Sequence, residues 1–201
     1  MTPDNPFLRA LLAEPDDDTL RLAMADWLDE NEQPERAEFV RVQIELARGA
    51  PDRDRKRLLK LRQVQLLSAR GREWIVPLGF GSDAIRSCQV VFRRGFVEYL
   101  RLPVHALLKD GARLVRLTPV RELDLELSDD VRDGSLRELL PLPWLRSITH
   151  LSAGRLSDSL AEEMIACPHL IGLRVLRCHW KHLGAVTRRR FARRFKHALP
   201  E

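Results

Sequence analysis

ADWLDENEQPERAEFVRVQIELAR, Ala25 to Arg48, carries a tryptophan-bearing apolar segment into an acidic turn and out into a long amphipathic stretch. Before the turn, Leu20, Ala23, Met24, Trp27 and Leu28 recur at helical spacing and give one apolar face. After it, Ala37, Val40, Ile44 and Ala47 do the same, broadened by Phe39, Val42 and Leu46. Asn31 to Pro34 reads as the connection, with proline at the first helical position, and Gly49, Ala50 and Pro51 as the stop. The segment is therefore a helical hairpin, with Trp27 as its core filler. Asp26 precedes Arg36 by ten residues across the hairpin, which predicts an ion pair locking the two helices. Asp26, Asp29, Glu30, Glu32, Glu35 and Glu38 would also suit a two-carboxylate hydrolase if their environments split their pKa values. No histidine, glycine loop or nucleophile accompanies them, so packing is the preferred reading.

Working outward, Asn5 followed by Pro6 reads as an N-cap opening the short helix FLRALLAE. Pro15 and the run Asp16, Asp17, Asp18 end it and place negative charge at the start of a helix beginning near Thr19. A fourth helix, DRKRLLKLRQVQLLSARG, is expected to turn Leu58, Leu59, Leu61, Val64, Leu66 and Leu67 inward. Four helices with short connections make a small helical domain over 1–72.

LRLAMADWLDENEQPERAEFVRVQIELAR resembles the repeat-companion domain abundant in planctomycete bacteria. The matching positions are Ala25, Asp26, Trp27, Leu28, Glu30, Pro34, Arg36, Ala37, Glu38, Phe39, Arg41 and Gln43. Asn31, Glu32 and Gln33 depart from the glycine that many members carry in the turn. The resemblance covers roughly residues 7 to 48. It implies no agreed biochemical activity, but it implies that leucine-rich repeats follow.

A repeat of that kind reads L-x-x-L-x-L, a short strand with three inward apolar positions. Val97, Leu100 and Leu102 fit it, as do Val120, Leu123 and Leu125, then Ile148, Leu151 and Ala153, then Leu170, Leu173 and Val175. The intervals of 23, 28 and 22 residues suit such repeats. SDSLAEEMIACPHL supplies a return helix with Leu160, Met164 and Ile165 on one face. The stretch 73–95 is the joint, where the PLGFG turn precedes a strand-like run from Cys88 to Phe92, and Arg93, Arg94 and Gly95 make a tight turn. Residues 96–201 are then a short solenoid of parallel strands, closed by the last helix VTRRRFARRFKHAL. The fold class expected is α/β: a helical domain, a hairpin joint, and a leucine-rich-repeat-like solenoid with a C-terminal capping helix.

The chain has 201 residues, 44% of them apolar and 31% charged, as in an ordinary water-soluble protein. No apolar run suits a membrane span, and MTPDNPFLRA lacks the layout of a signal peptide. Cys88, Cys167 and Cys178 do not form a secreted-scaffold spacing, so the expectation is a reduced, cytoplasmic protein without a membrane partner. Residues 1–50 carry twelve acidic and five basic side chains, whereas 171–201 carry nine basic and one acidic. Such asymmetry lets the two ends meet each other or different partners.

Cys167, His169, Cys178, His179 and His182 invite a zinc site, but repeat register assigns Cys178 to the bend as a small buried residue, so no metal is expected. The tail interleaves Phe191 and Phe195 with Arg188, Arg189, Arg190, Arg193, Arg194 and Lys196. That pattern is a capping helix first and a basic patch for nucleic-acid phosphates second. No phosphate loop, G-x-S-x-G, H-E-x-x-H or dinucleotide fingerprint occurs, so no catalytic residues, cofactor or small-molecule substrate are expected. The function expected is non-enzymatic protein binding, as an adaptor or scaffold in a larger bacterial assembly. Its concave face would present Glu98, Tyr99, Arg101, Glu122, Asp124, Glu126, Thr149, His150, Ser152, Arg174 and Arg177.

Overall fold

The computed structural model describes residues 3–79, 89–126 and 132–199. Cys88, and the PLGFG turn from Phe80 on, lie outside the described residues. The chain divides into two compact units. The first is Met1–Asp83, Val91–Glu98 and Arg116–Pro119; the second is Ala84–Val90, Tyr99–Val115 and Val120–Glu201. The turn expected to be part of a separate joint therefore belongs with the helices.

In the first unit four helices run in sequence: α1 (Pro6–Ala13), α2 (Asp18–Glu30), α3 (Pro34–Arg48) and α4 (Arg53–Ile75). Their starts follow from their caps. Asn5 Oδ1 accepts from the Leu8 N–H at 3.0 Å, Asp17 Oδ1 from Thr19 at 2.6 Å and Asp52 Oδ1 from Arg55 at 2.7 Å. Leu8 and Leu11 of α1 close on Met24, Ala25 and Leu28 of α2 and on Ala37, Val40 and Ile44 of α3. Trp27 is only partly buried at the margin of this cluster, not its filler. The expected inward face of α4 is also corrected. Leu59 and Leu66 are buried, but Leu58, Leu61 and Val64 are 60%, 53% and 58% exposed. A single helix packed on one neighbour buries only a narrow stripe, and the leucines one position off it face water.

Two strands, β1 (Gln89–Arg93) and β2 (Phe96–Pro103), are joined by the two-residue turn Arg94–Gly95. Both turn residues have positive φ, 46° and 89°, the conformation that matches the twist of a tight hairpin. Gly95 also permits close approach, since a Cβ there would lie 2.5 Å from Val40 Cγ2 and 2.7 Å from Val40 Cα.

The second unit alternates strands and helices. After β2 come α5 (Val104–Leu117), β3 (Glu122–Glu126), α6 (Arg132–Leu139), β4 (His150–Arg155), α7 (Asp158–Ala166), β5 (Val175–His179) and α8 (Ala185–Arg194). The protein is thus a mixed α/β molecule whose five-stranded sheet has the order β1-β2-β3-β4-β5. The last four strands are parallel. Leu100 pairs with Leu123, Leu123 with Leu151, and Leu151 with Leu176. These four leucines are all buried. The fourth apolar triplet therefore needs correction by three residues: Leu173, Leu176 and Cys178 occupy the places expected for Leu170, Leu173 and Val175. Leucines at 170, 173 and 176, three apart, make the two frames nearly indistinguishable in sequence.

Each strand is too short to bury its own apolar side, so the returning helices cover it. Leu107 and Leu114 of α5 and Leu160 and Met164 of α7 are buried. Gly111 in α5 leaves the space that the Trp144 ring fills. Beyond α8 the chain closes the outer edge of β5: the Leu176 N–H donates to Ala198 O at 2.6 Å, and His197 Nε2 lies 2.9 Å from Leu173 O. Phe191 and Phe195 are fully buried, and Ala198 is buried beside them. Among the described residues no helix is long and apolar enough to cross a membrane.

Candidate functional site

The side of the parallel strands away from the leucine ladder carries two rows of partly exposed side chains in the second unit. Register sets Tyr99, Glu122, His150 and Val175 in one row, and Arg101, Asp124, Ser152 and Arg177 in the other. A shallow groove of about 60 Å³ lies among them. Tyr99 donates from its hydroxyl to Asp124 Oδ2 at 3.3 Å. Burial first, and Asp124 second, push the Tyr99 pKa up, so the phenol stays a donor. His150 Nδ1 lies 3.8 Å from Glu122 Oε1 and 2.9 Å from Thr149 Oγ1. The second row reads positive, negative, neutral, positive along the sheet, so its charges change sign every strand or two.

Two predicted members of this face are corrected. Arg174 is exposed but precedes β5, and Val175 holds the place opposite His150. Thr149 likewise precedes β4 and is buried. Glu126 ends β3, opposite Pro103.

Glu98 is the other correction, and it belongs to the first unit. It is only 5% exposed, and its Oε1 accepts from Arg21 Nη2 at 2.6 Å. Arg21 is completely buried. Its Nε and Nη2 donate to Pro15 O at 3.2 and 2.5 Å, and its Nη1 to Arg93 O and Arg94 O at 3.3 and 3.0 Å. One guanidinium thus ties the α1–α2 connection to the β1–β2 turn. Gln43 of α3 holds the same turn, accepting from the Gly95 N–H at 2.7 Å and donating to Phe92 O at 3.3 Å. Arg94 lies 3.2 Å from Asp16 and 3.4 Å from Glu98.

Arg36, the expected partner of Asp26, is placed differently. Asp26 pairs with Arg41 at 2.6 Å, and Arg41 also holds Asp29 at 2.6 Å, all at the exposed surface. Those carboxylate bonds raise the Arg41 pKa. Glu38 turns outward to a two-pronged contact with Arg62, at 2.6 Å on both oxygens, which lowers its pKa. Arg36 points inward, 7% exposed, and its Cζ lies 4.7 Å from the Trp74 ring, 5.2 Å from Phe92, 5.5 Å from Phe96 and 5.6 Å from Phe39. Phe39, Trp74 and Phe92 also pack on one another, with centroids 4.9 to 6.2 Å apart. Four rings offer their faces, but a ring accepts no ordinary hydrogen bond. Arg36 Nη1 is buried without a partner. Burial alone lowers its pKa to about 9. A cavity of about 80 Å³ opens beside it, lined also by Gln33, Glu73, Trp74, Phe96 and Thr118.

The cysteine and histidine set does not converge. Cys167 is buried and donates to Leu140 O at 3.2 Å, His169 Nδ1 accepts from Arg146 at 3.0 Å, and His182 Nε2 lies 2.8 Å from Leu156 O. Cys178 sits within β5 rather than at a bend, and burial pushes its thiol up to about 12. Among the described residues no group of three metal-ligating side chains converges. On the tail, Arg190 pairs with Glu162 at 2.6 Å, Arg188 and Arg189 donate to Lys181 O and Ala185 O, and Arg194 lies over Phe195. Arg193 and Lys196 are exposed.

Arg21 carries no role in the sequence reading, yet a signal for it exists. It stands three, four and seven residues before Met24, Ala25 and Leu28, on the apolar stripe of α2. Arg36 stands likewise before Phe39, Val40 and Gln43 on α3. An arginine at a stripe position is a buried cation in need of acceptors. No family model, no curated protein and no solved structure matches this chain.

Proposed function

We propose that this chain is a non-enzymatic adaptor or scaffold subunit of a bacterial, cytoplasmic assembly. It binds a protein partner through the open face of its parallel strands. In this reading the first unit is a repeat-companion-like domain and the second a short, degenerate leucine-rich-repeat solenoid. The leucine ladder of Leu100, Leu123, Leu151 and Leu176 supports the repeats, with intervals of 23, 28 and 25 residues.

The observation that carries the binding role is the half-exposed face itself. Parallel sheets are usually covered on both sides, because crossover helices pack onto each. Here the rows Tyr99–Val175 and Arg101–Arg177 remain half exposed, with the groove between them. The partner would present opposite charges in the same order, acidic against Arg101 and Arg177 and basic against Asp124. The tail fits a cap better than a nucleic-acid surface, since four of its cations already have partners.

The test is affinity capture from cells with and without nuclease, using the wild-type chain, Asp124→Arg, Arg177→Glu, and Arg193→Ala with Lys196→Ala. A protein retained by the tail variant and lost from both face variants supports the proposal. Capture that nuclease abolishes, or that only the tail variant loses, overturns it in favour of nucleic acid.

A further inference from the structure

The cavity beside Arg36 has no part in the face just described and belongs to the first unit. Its chemistry is unbalanced. Arg36 brings one positive charge and five N–H donors, and its aromatic neighbours stabilise the cation only through their ring faces. Among the described residues no carboxylate pairs with Arg36, and its Nη1 has no hydrogen-bond partner. Glu73 also lines the cavity but is taken by Arg70 at 3.1 Å. A buried guanidinium in this state is deficient in one thing, a negatively charged acceptor.

We propose that the cavity binds a small organic monocarboxylate with a short apolar tail. The carboxylate accepts from the Arg36 guanidinium, and the tail lies against Trp74, Phe96 and Leu117. The charge count selects a monoanion: one cation is unmatched, and a phosphate dianion would bring a second charge toward Glu73. A cationic ligand would meet Arg36. The walls select the tail, because Trp74, Pro77, Leu78, Phe96, Val97 and Leu117 are apolar. The size agrees, since about 80 Å³ is several times the roughly 10–15 Å³ that one water requires.

The full chain, labelled with ¹⁵N, would be titrated separately with butyrate, butyramide, butylamine and inorganic phosphate. The Arg36 Nε–H and Trp74 indole N–H resonances report on the cavity. Butyrate should shift both saturably in the millimolar range, and at least about tenfold more tightly than its neutral isostere butyramide. Arg36→Lys keeps the charge but loses the fork, and should weaken butyrate by about tenfold. If that variant does not fold, the four wild-type titrations decide alone. Equal response to butyrate and butyramide, preference for butylamine or phosphate, or no saturable shift with any of the four overturns the proposal.

Discussion

Arg21 and Arg36 are both buried arginines on the apolar stripes of neighbouring helices in one small unit, yet they are solved in opposite ways. Arg21 is enclosed by acceptors: Glu98, two carbonyls of the β1–β2 turn and the Pro15 carbonyl. Arg36 is enclosed by four aromatic rings and has no acceptor for Nη1. The first arrangement uses a planar, multi-donor cation to fix chain segments far apart in sequence. The second leaves charge in store. Satisfied donors mark architecture, and an unsatisfied one marks a place where something else can bind.

The comparison breaks most visibly at Arg21. Arg21→Met removes every one of those bonds and deprives the Glu98 carboxylate, at 5% exposure, of its 2.6 Å partner, leaving it the longer 3.4 Å contact with Arg94. Breaking one side of a buried pair costs about 3–5 kcal/mol, which urea unfolding would read directly. Combining it with Glu98→Leu should recover part of that loss, because the buried carboxylate that lost its 2.6 Å partner is gone. A double variant no more stable than the single one would show that Glu98 is not the partner that matters.

Next in size is the turn that supplies Arg21 with acceptors. Gly95→Ala puts a methyl where Val40 already stands and forces an L residue to φ 89°. Roughly 1–2 kcal/mol for the left-handed conformation and about 1–3 for overpacking predict a loss of about 2–5 kcal/mol. If instead the turn tolerates alanine within experimental error, Arg21 and Gln43 are not holding it against α3.

These two sites show where the sequence was readable and where it was not. Helix starts were legible because caps and first-turn prolines act locally, as at Asn5 and Pro34, and the alternation of strands with helices was legible in the apolar spacing. Pairings were not. Spacing alone does not choose between Arg36 and Arg41 for Asp26; the structure buries Arg36 among rings and pairs Asp26 with Arg41. Glu98 has an alternating-strand position that suits an exposed face, and is buried only because Arg21 arrives from 77 residues away. The frame of the fourth repeat was ambiguous for a different reason: Leu170, Leu173 and Leu176 are three apart, so periodicity alone supports either register.

Arg36→Met sharpens the contrast by its small size. With no carboxylate left behind and a flexible apolar side chain of similar reach, the cost should stay within about 1 kcal/mol, well below that of Arg21→Met. Its pH dependence carries a definite sign. Burial lowers the Arg36 pKa to about 9 in the folded chain, well below that of an arginine in the unfolded chain. Above pH 9 the unfolded state therefore holds more protons, so wild type gains stability relative to Arg36→Met as pH rises. A constant difference between the two proteins from pH 7 to 11 would mean that burial does not penalise this cation.

The smallest effect belongs to Asp26, which the sequence paired with Arg36 and the structure pairs with Arg41. Asp26→Asn removes the charge from a contact of 2.6 Å, the same length as Arg21 to Glu98, but Asp26 is 70% exposed and Arg41 keeps Asp29. Water and salt screen such a contact, and the long arginine loses freedom to make it, so about 0.5 kcal/mol or less should be lost. That loss should vanish in high salt, while the Arg21→Met loss should survive it, because the Debye length limits only solvent-exposed pairs. Equal distances in one unit would then yield stabilities several-fold apart. A salt-independent loss at Asp26 would instead place that carboxylate among the buried interactions and remove burial as what separates the two pairs.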